Sequence, residues 1–181
     1  MDYNKLENPD RVAELNPLKT LQRIGLGQHD VLCDIGAGTG IFTIQAAKIT
    51  ENSVIALELN EELLNIINKK AKQENLTNIK TLKVTGDLFD IYKNTVDFVL
   101  LVTVFHEIIN KNIFVTEIRR IIKKTGKIVI IEFHKKQTIF GPPIDQRISR
   151  NYVTSFFDYY GFTKKNEFDL GDNLYCIVFD A

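Results

Sequence analysis

Residues 31–43 read Val-Leu-Cys-Asp-Ile-Gly-Ala-Gly-Thr-Gly-Ile-Phe-Thr, which combines an apolar strand, a glycine-rich turn and the start of a helix. Three glycines at alternate positions, Gly36, Gly38 and Gly40, let the backbone bend tightly and let a ligand approach it closely. Amides at the N-terminus of the following helix offer hydrogen-bond donors without partners inside the helix. We therefore expect a small anionic or carboxylate-bearing ligand beside this strand, at the carboxyl edge of a parallel sheet.

Apolar runs and helical patterns alternate on both sides of this turn. Strand-like runs at 31–35, 53–58, 79–84, 96–102 and 127–133 are separated by helical patterns at 41–49, after Asn60, and at 113–123, where Gly126 is expected just past the helix end. Later, Ser149 precedes a helical pattern, and Gly171-Asp172-Asn173 joins two final runs as an antiparallel hairpin. The pattern predicts an α/β fold: a doubly wound, seven-stranded, mostly parallel sheet with helices on both faces and an antiparallel C-terminal strand.

Composition limits the class of protein. The 181 residues suit one domain, 1–181, with residues 1–27 as an N-terminal segment and helix. Lys+Arg and Asp+Glu both number 23, which argues against a broad nucleic-acid-binding face. The two cysteines, Cys33 and Cys176, lie in apolar runs without metal-ligand spacing, so we expect buried thiols and no metal site.

Membrane and export signals are not evident in the sequence. The first residues contain no apolar segment typical of a signal peptide. The longest apolar run, 96–109, is interrupted by Asp97, His106 and Glu107, so no membrane span is expected. We therefore expect a cytoplasmic protein. The sequence does not indicate an oligomeric state.

Glu58 ends the second strand-like run and lies 58 − 40 = 18 residues beyond Gly40. A carboxylate at this place can accept hydrogen bonds from the ribose hydroxyls of a bound nucleoside. Dinucleotide sites and S-adenosylmethionine sites both use such an acid, so the spacing of the glycines has to separate the two classes. The dinucleotide fingerprint is G-x-G-x-x-G, whereas this chain has G-x-G-x-G with Asp34 two residues before it.

That combination resembles the first motif of the class I S-adenosylmethionine-dependent methyltransferases, D/E-x-G-x-G-x-G. The resemblance has good motifs from Leu21 to Lys127 and rests on topology after that. The His-Glu-Ile that follows the fourth strand and the segment at 117–127 look like the small-molecule group, which includes the quinone-biosynthesis C-methyltransferases. The resemblance implies an enzyme that uses S-adenosyl-L-methionine to methylate a small-molecule acceptor by in-line displacement.

The resemblance also implies which residues bind the cofactor. Asp34 would help to bind the methionine ammonium, and the backbone at the end of the fourth strand would contact the methionine part. Asp87 would accept from the adenine amine, beside the amide of Leu88, and Leu59 would pack on the adenine face. The implied cofactor-binding residues are Asp34, Gly36, Ala37, Gly38, Gly40, Glu58, Leu59, Asp87, Leu88, Val102 and Thr103.

Two histidines are candidates for catalysis. His106 lies after the fourth strand, where this fold opens onto its site, and an imidazole titrates near neutral pH. It is either a general base or a packing or helix-capping histidine. His134 lies just past the fifth strand, and Glu132, two residues earlier, should share its strand face.

Alternative functions stay open at this point. A non-catalytic S-adenosylmethionine- or nucleoside-binding protein would keep the same motifs, and a protein or RNA methyltransferase would share the fold. A nicotinamide-dependent oxidoreductase is disfavoured by the glycine spacing. The first sixteen residues are either a floppy terminus or, as in the resembling family, a segment that folds over the cofactor or acceptor like a lid.

Overall fold

The computed structural model describes residues 3–86 and 88–181. Its core is a seven-stranded sheet in the order β3-β2-β1-β4-β5-β7-β6. The strands are β1 Leu32–Ile35, β2 Val54–Glu58, β3 Ile79–Lys83, β4 Val96–Val102, β5 Ile122–Phe133, β6 Thr163–Leu170 and β7 Leu174–Asp180. Strands β1 to β5 pair in parallel, and β7 runs antiparallel to both β5 and β6. The predicted fold class is confirmed.

The helices alternate with the strands in the first half of the chain. The α-helices are α1 Tyr3–Leu6, α2 Pro9–Leu15, α3 Pro17–Arg23, α4 Ile41–Ile49, α5 Glu61–Gln73, α6 Lys111–Ile121 and α7 Arg150–Tyr159. Two short 3₁₀ helices, Phe105–Glu107 and Ile144–Gln146, follow β4 and precede α7. Several helix starts are capped by the side chain that the sequence offers: Asn60 accepts from the amide of Glu62, and Ser149 from that of Tyr152.

Both faces of the sheet are covered, which explains the nearly continuous apolar runs of the central strands. One face carries Cys33 and Ile35 of β1 and packs against α6 and α7. The other face carries Leu32 and packs against α2, α3 and α4. Cys33 and Cys176 are buried free thiols on strands, as expected. Among the described residues, no helix is long and apolar enough to cross a membrane.

The boundary between α6 and β5 differs from the prediction. The helical pattern predicts a helix to Lys123 with Gly126 just past its end, but α6 ends at Ile121 and β5 begins at Ile122. Ile122 pairs with Val96 of β4, and a register shift follows before Phe98. Sheet pairing of a buried β-branched residue therefore outweighs the local helical pattern. Gly126 lies inside β5, where a Cβ would come 2.9 Å from the carbonyl oxygen of Lys123.

The N-terminal residues 3–15 form helices, so the reading as a floppy terminus does not hold for the described part of this segment. Asn8 begins α2, because its side chain accepts from the amides of Asp10 and Arg11 at 2.9 and 3.1 Å. Pro9 occupies the first turn of α2, where its missing amide hydrogen costs nothing. The described part of this segment is therefore helical, with α2 capped at its start.

Candidate functional site

The turn after β1 requires its three glycines. Gly36, Gly38 and Gly40 have φ values of 69°, 56° and 80°, which lie in the left-handed region. A Cβ on Gly36 would come 2.5 Å from the Val104 side chain, and one on Gly40 would come 2.8 Å from Ile67. The turn is therefore packed tightly between α5 and the segment that follows β4. We call residues 36–40 the glycine loop.

The amides of the glycine loop are mostly bound within the protein. Those of Gly36 and Ala37 donate to the carbonyl of Leu57 at 2.8 and 3.0 Å. That of Gly38 donates to Glu58 Oε2 at 2.9 Å. The loop is thus fixed to the end of β2, and these three amides are not free to bind an anion.

Glu58 links the glycine loop to the start of α5. Its second carboxylate oxygen accepts from the amides of Leu59 and Asn60 at 2.8 and 3.1 Å. A carboxylate has about four lone-pair positions, and three of them are used. Glu58 can therefore accept one further hydroxyl without losing an amide, and a second hydroxyl would replace one of the three amides.

Asp34 lies beneath the loop and is buried. Its Oδ2 accepts from the Thr43 hydroxyl at 2.6 Å, which ties β1 to the first turn of α4. Burial raises the pKa of Asp34 to about 6, the Thr43 bond opposes this, and the negative charge of Glu58 adds to it. A positively charged group placed nearby would lower this pKa.

The other implied cofactor-binding residues differ in how far they are exposed. Leu59 and Leu88 are exposed, at 70% and 72%, so both side chains are open to a ligand, and Val102 is buried. Asp87 lies outside the described residues. Thr103 has φ +56°, which is rare for a β-branched residue and costs about 1–3 kcal/mol. Its amide donates to the carbonyl of Ile131 at 2.7 Å, so the strain is held at the end of β4.

His106 and Glu132 form a buried pair on the other side of the same edge. His106 Nδ1 lies 2.8 Å from Glu132 Oε2, and the backbone amide of His106 donates to Glu132 Oε1 at 3.1 Å. Their side chains are 7% and 2% exposed. Because an ionised carboxylate only accepts, Nδ1 carries the donated hydrogen, and in the neutral ring Nε2 is the atom that can accept a proton. Nε2 lies 3.8 Å from Oε1 of the exposed Glu107.

The surroundings of this pair change its protonation. Burial works to lower the pKa of His106, but the hydrogen bond and charge of Glu132 outweigh it and leave the pKa above the usual value. Tyr175, which is opposite Glu132 on β7, has its pKa raised by burial and by the charge of Glu132. The negative charges of Glu132 and Glu107 therefore favour a proton on His106, and the positive charge of Lys111 opposes it.

His134 pairs with a carboxylate of another strand. Its Nε2 lies 3.1 Å from Asp169 Oδ1 of β6, and Arg150 binds the same carboxylate. Its ring centroid is 5.5 Å from that of Tyr175. Burial and the nearby positive charges of Lys136 and Arg150 lower the pKa of His134 against the opposing charge of Asp169. Glu132, which the strand pattern associated with His134, is bound to His106 instead.

The N-terminal segment crosses the same edge, and none of its side chains is among the implied cofactor-binding or catalytic residues. Arg11 Nη2 donates to Thr103 Oγ1 at 3.2 Å. Glu14 accepts from the side chain of Asn173 in the turn between β6 and β7. Lys70 of α5 binds Glu7 and the carbonyl of Thr39 in the glycine loop. Helical spacing gave no signal for these contacts, because their partners are far away in the sequence.

The connection 134–149 is organised by one buried cation. Arg147 donates to the carbonyls of Pro142, His134 and Lys136 at 2.7, 3.0 and 2.8 Å, and to the hydroxyl of Thr138 at 2.7 Å. The loop that borders His134 is thereby fixed from inside.

Other features of the described residues do not compete with this edge. A cleft of about 570 Å³ lies at the opposite, amino edge of the sheet, and Gln28 and residues 47–51 and 75–78 line it. Within residues 3–86 and 88–181, no group of three His, Cys, Asp or Glu side chains could hold a metal ion. The chemistry-bearing side chains collect at the carboxyl edge, as expected for this type of sheet.

A family model described as a methyltransferase domain matches residues 33–130, which is more than half of the chain. The chain belongs to this family. The match begins in β1 and ends in β5, so it contains the glycine loop, Glu58 and His106. The predicted class of methyltransferases is confirmed at the level of the family.

Curated relatives of this methyltransferase-family chain point in the same direction. It is 23% identical over 121 residues to the ubiquinone/menaquinone biosynthesis C-methyltransferase UbiE of Teredinibacter turnerae, covering 65% of this chain and 49% of that protein. It is 25% identical over 138 residues to the enzyme of the same name from Rickettsia typhi, covering 73% and 51%. The chain thus spans about half the length of these curated relatives.

Solved structures match over nearly the whole chain. A SAM-dependent methyltransferase from Aquifex aeolicus has a TM-score of 0.91 and 26% identity, covering 98% of this chain and 95% of that one. The geranyl diphosphate C-methyltransferase from Streptomyces coelicolor has a TM-score of 0.78 at 14% identity, covering 94% and 81%, and shows the fold alone.

Proposed function

We propose that the chain transfers a methyl group from S-adenosyl-L-methionine to a small-molecule acceptor. The observation that carries the proposal is the meeting of the glycine loop and the His106–Glu132 pair at one sheet edge. The two are neighbours because Gly36 leaves just enough space for Val104, two residues before His106. The matches to quinone-biosynthesis C-methyltransferases support a small-molecule acceptor.

The residues present fit this cofactor. The left-handed glycines keep Cβ atoms out of the turn, and Glu58 keeps an acceptor position for a ribose hydroxyl. Asp34, whose pKa is raised when no cation is near, suits a cationic ammonium or sulfonium group. The exposed side chains of Leu59 and Leu88 suit the adenine. In the resembling family, the position of Asp87 contacts the adenine amine.

When bound, the cofactor supplies a methyl group on a positively charged sulfur that is already activated for displacement. The protein therefore contributes mainly orientation, which supplies up to about 7–11 kcal/mol in well-aligned cases. The packed glycine loop and the rigid Thr103 backbone suit this positioning role.

His106 is the proposed general base. Glu132 holds the ring through Nδ1, which leaves Nε2 as the atom that takes the proton that an oxygen, nitrogen or carbon acceptor loses. Because the pKa of His106 is raised, the active neutral form prevails only at higher pH, and the rate should fall on the acid side. His134 is the second candidate, at the border of the acceptor side, beside the connection 134–149.

The N-terminal segment is proposed as the lid of a single methyltransferase domain. Its contacts with Thr103, with the β6–β7 turn and with Lys70 support this role. A cytoplasmic location belongs to the same proposal and agrees with the two free cysteines. A protein-methylating function is weaker, since the match to the ribosomal protein L11 methyltransferase of Listeria innocua, 34% identical over 71 residues, covers 39% of this chain and 23% of that protein.

Calorimetric titration with S-adenosylmethionine, S-adenosylhomocysteine and NAD, side by side, tests the cofactor. We expect micromolar binding of the first two ligands and none of NAD. Binding of NAD alone, or of none of the three, would contradict the proposal. Cofactor binding without turnover in a broad acceptor screen would favour the non-catalytic binding protein.

A further inference from the structure

Arg11 is a buried cation without a counter-charge. Its side chain belongs to α2 and is 8% exposed. Nη1 donates to the carbonyl of Leu6 at 2.7 Å, and Nη2 donates to Thr103 Oγ1 at 3.2 Å. Among the described residues it forms no ion pair, and burial alone lowers its pKa to about 10.

Three other arginines, Arg120, Arg147 and Arg150, are better satisfied. Arg120 pairs with the carboxylate of Glu117, and Arg150 pairs with that of Asp169. Arg147 lacks a carboxylate but donates to four carbonyls and a hydroxyl. A guanidinium has five N–H donors, and Arg11 uses two of them on neutral acceptors. A buried positive charge with so few hydrogen-bond partners destabilises the protein unless an anion pairs with it.

The position of Arg11 indicates which kind of anion could pair with its guanidinium. Its acceptor Thr103 is at the carboxyl end of β4, beside Val104 and therefore beside the glycine loop. Leu6, whose carbonyl it also binds, lies 3.5 Å from the point where Gly38 would carry a Cβ. The guanidinium thus lies where the N-terminal segment, the loop and β4 converge.

Most amides of the glycine loop are already bound within the protein, and the loop carries no cationic side chain. The amides of Gly36, Ala37 and Gly38 are bound to Leu57 and Glu58. The nearby acidic groups, Asp34 and Glu58, repel an anion. A ligand carboxylate at this edge would therefore be favoured by a positive charge from outside the loop, and Arg11 of α2 offers one.

We propose, on the basis of the methyltransferase function above, that Arg11 binds the α-carboxylate of the methionine part of the cofactor. The planar fork of the guanidinium matches a carboxylate and pairs with it through two parallel hydrogen bonds. The same contact fastens α2 to the bound cofactor, so the N-terminal segment becomes part of the cofactor site.

A ligand pair that differs only in the carboxylate tests this assignment. S-adenosylhomocysteine and its decarboxylated analogue, S-adenosyl-3-thiopropylamine, are titrated into the wild-type protein and into Arg11→Met. We expect the wild type to prefer S-adenosylhomocysteine by roughly 10- to 100-fold, as for a buried charge-assisted bond. In Arg11→Met the preference should shrink to within about threefold.

Controls separate this role from a structural one. Arg23→Met removes an arginine of α3 that lies over the Phe168 ring, and it should keep the wild-type preference. Arg11→Gln keeps a donor for Leu6 or Thr103 without the charge and gives the same test if Arg11→Met does not fold. A preference that survives in either variant, or an equal loss of affinity for both ligands, would overturn the assignment. If the wild type binds neither ligand, the proposed function itself fails, which is a separate result.

Discussion

The carboxyl edge has two parts that hold their carboxylates in different ways. The glycine-loop half contains Asp34 and Glu58, and the histidine half contains His106 and Glu132. Asp34 and Glu58 are bound by backbone amides or a hydroxyl from no more than 20 residues away. Glu132 is bound by His106, 26 residues away at the end of another strand. The first half therefore combines short-range contacts with the pairing of β1 and β2, and the second forms only when β4 and β5 are paired.

The two halves also differ in how they respond to pH. In the glycine-loop half, the amides and the hydroxyl that bind Asp34 and Glu58 keep their protons throughout the ordinary pH range, and the group that titrates is the Asp34 carboxyl itself, with a pKa of about 6. The group that binds Glu132 is an imidazole, which titrates within that range. Substitutions in the two halves should therefore affect different quantities, and this gives three ways to test the comparison.

Replacing Glu132 with Ala should have the largest effect. Removing one partner of a buried charged pair costs about 3–5 kcal/mol of unfolding free energy. The pKa of His106 is raised in the folded protein, so its contribution is fully present below about pH 6.5 and is lost as the pH rises through the folded value. Urea unfolding at pH 6 and pH 9 should therefore show the larger loss at pH 6.

Glu107→Ala is the matched control for this variant, because Glu107 is an exposed carboxylate on the other side of the same ring. It should change the unfolding free energy little at either pH. A loss in Glu132→Ala that is equal at both pH values would mean that His106 does not carry the charge in the pair.

Replacing Glu58 with Ala should act mainly on the ligand. The variant loses charge-assisted bonds to ligand hydroxyls and to the Gly38 amide, so affinity for S-adenosylhomocysteine should fall by about 2–4 kcal/mol. Calorimetry of this variant beside Glu61→Ala provides the measurement. Glu61 is the matched control, because it is an exposed acid of α5 that pairs with Lys83 of β3. Equal affinity in the two variants would remove Glu58 from the site.

Gly36 and Gly38 test how closely the two halves are joined. Both have positive φ, so alanine strains the backbone at either position. Only at Gly36 does the added methyl group meet Val104, whereas at Gly38 it reaches ordinary contact with Leu6. We expect Gly36→Ala to be less stable than Gly38→Ala by about 1–3 kcal/mol, measured as the difference in unfolding free energy. Equal stabilities would mean that the segment after β4 moves aside to make room for the added methyl group at no cost in free energy.

The glycine-loop half was easier to predict from the sequence for a physical reason. A left-handed turn needs glycine, and the acid after β2 follows at a fixed distance, so both leave a local pattern. The strand alternation likewise predicted the sheet, because burial on two faces demands continuous apolar runs. The error at Gly126 arose where pairing between Ile122 and Val96 decided the conformation.

The histidine half left a weaker pattern. His106 and Glu132 were each noted, but their pairing depends on the register of β4 against β5, which no local spacing encodes. Arg11 was missed because an arginine on a short amphipathic helix looks like a solvent-exposed residue until its burial is known. The roles of the His106–Glu132 pair and of Arg11 stay predictions.

The position of β7 has a consequence for how the chain acquires its shape during synthesis. β7 is made after β6 but lies between β5 and β6, and β6 has no other partner in the sheet. On the ribosome, strands β1 to β5 can assemble while the free side of β5 still presents unpaired backbone groups. Residues 163–170 cannot join the sheet until residues 174–180 have left the exit tunnel. The nascent protein therefore passes through a stage in which the edge of β5 is unpaired and prone to aggregation. Chaperone protection would matter most at this stage.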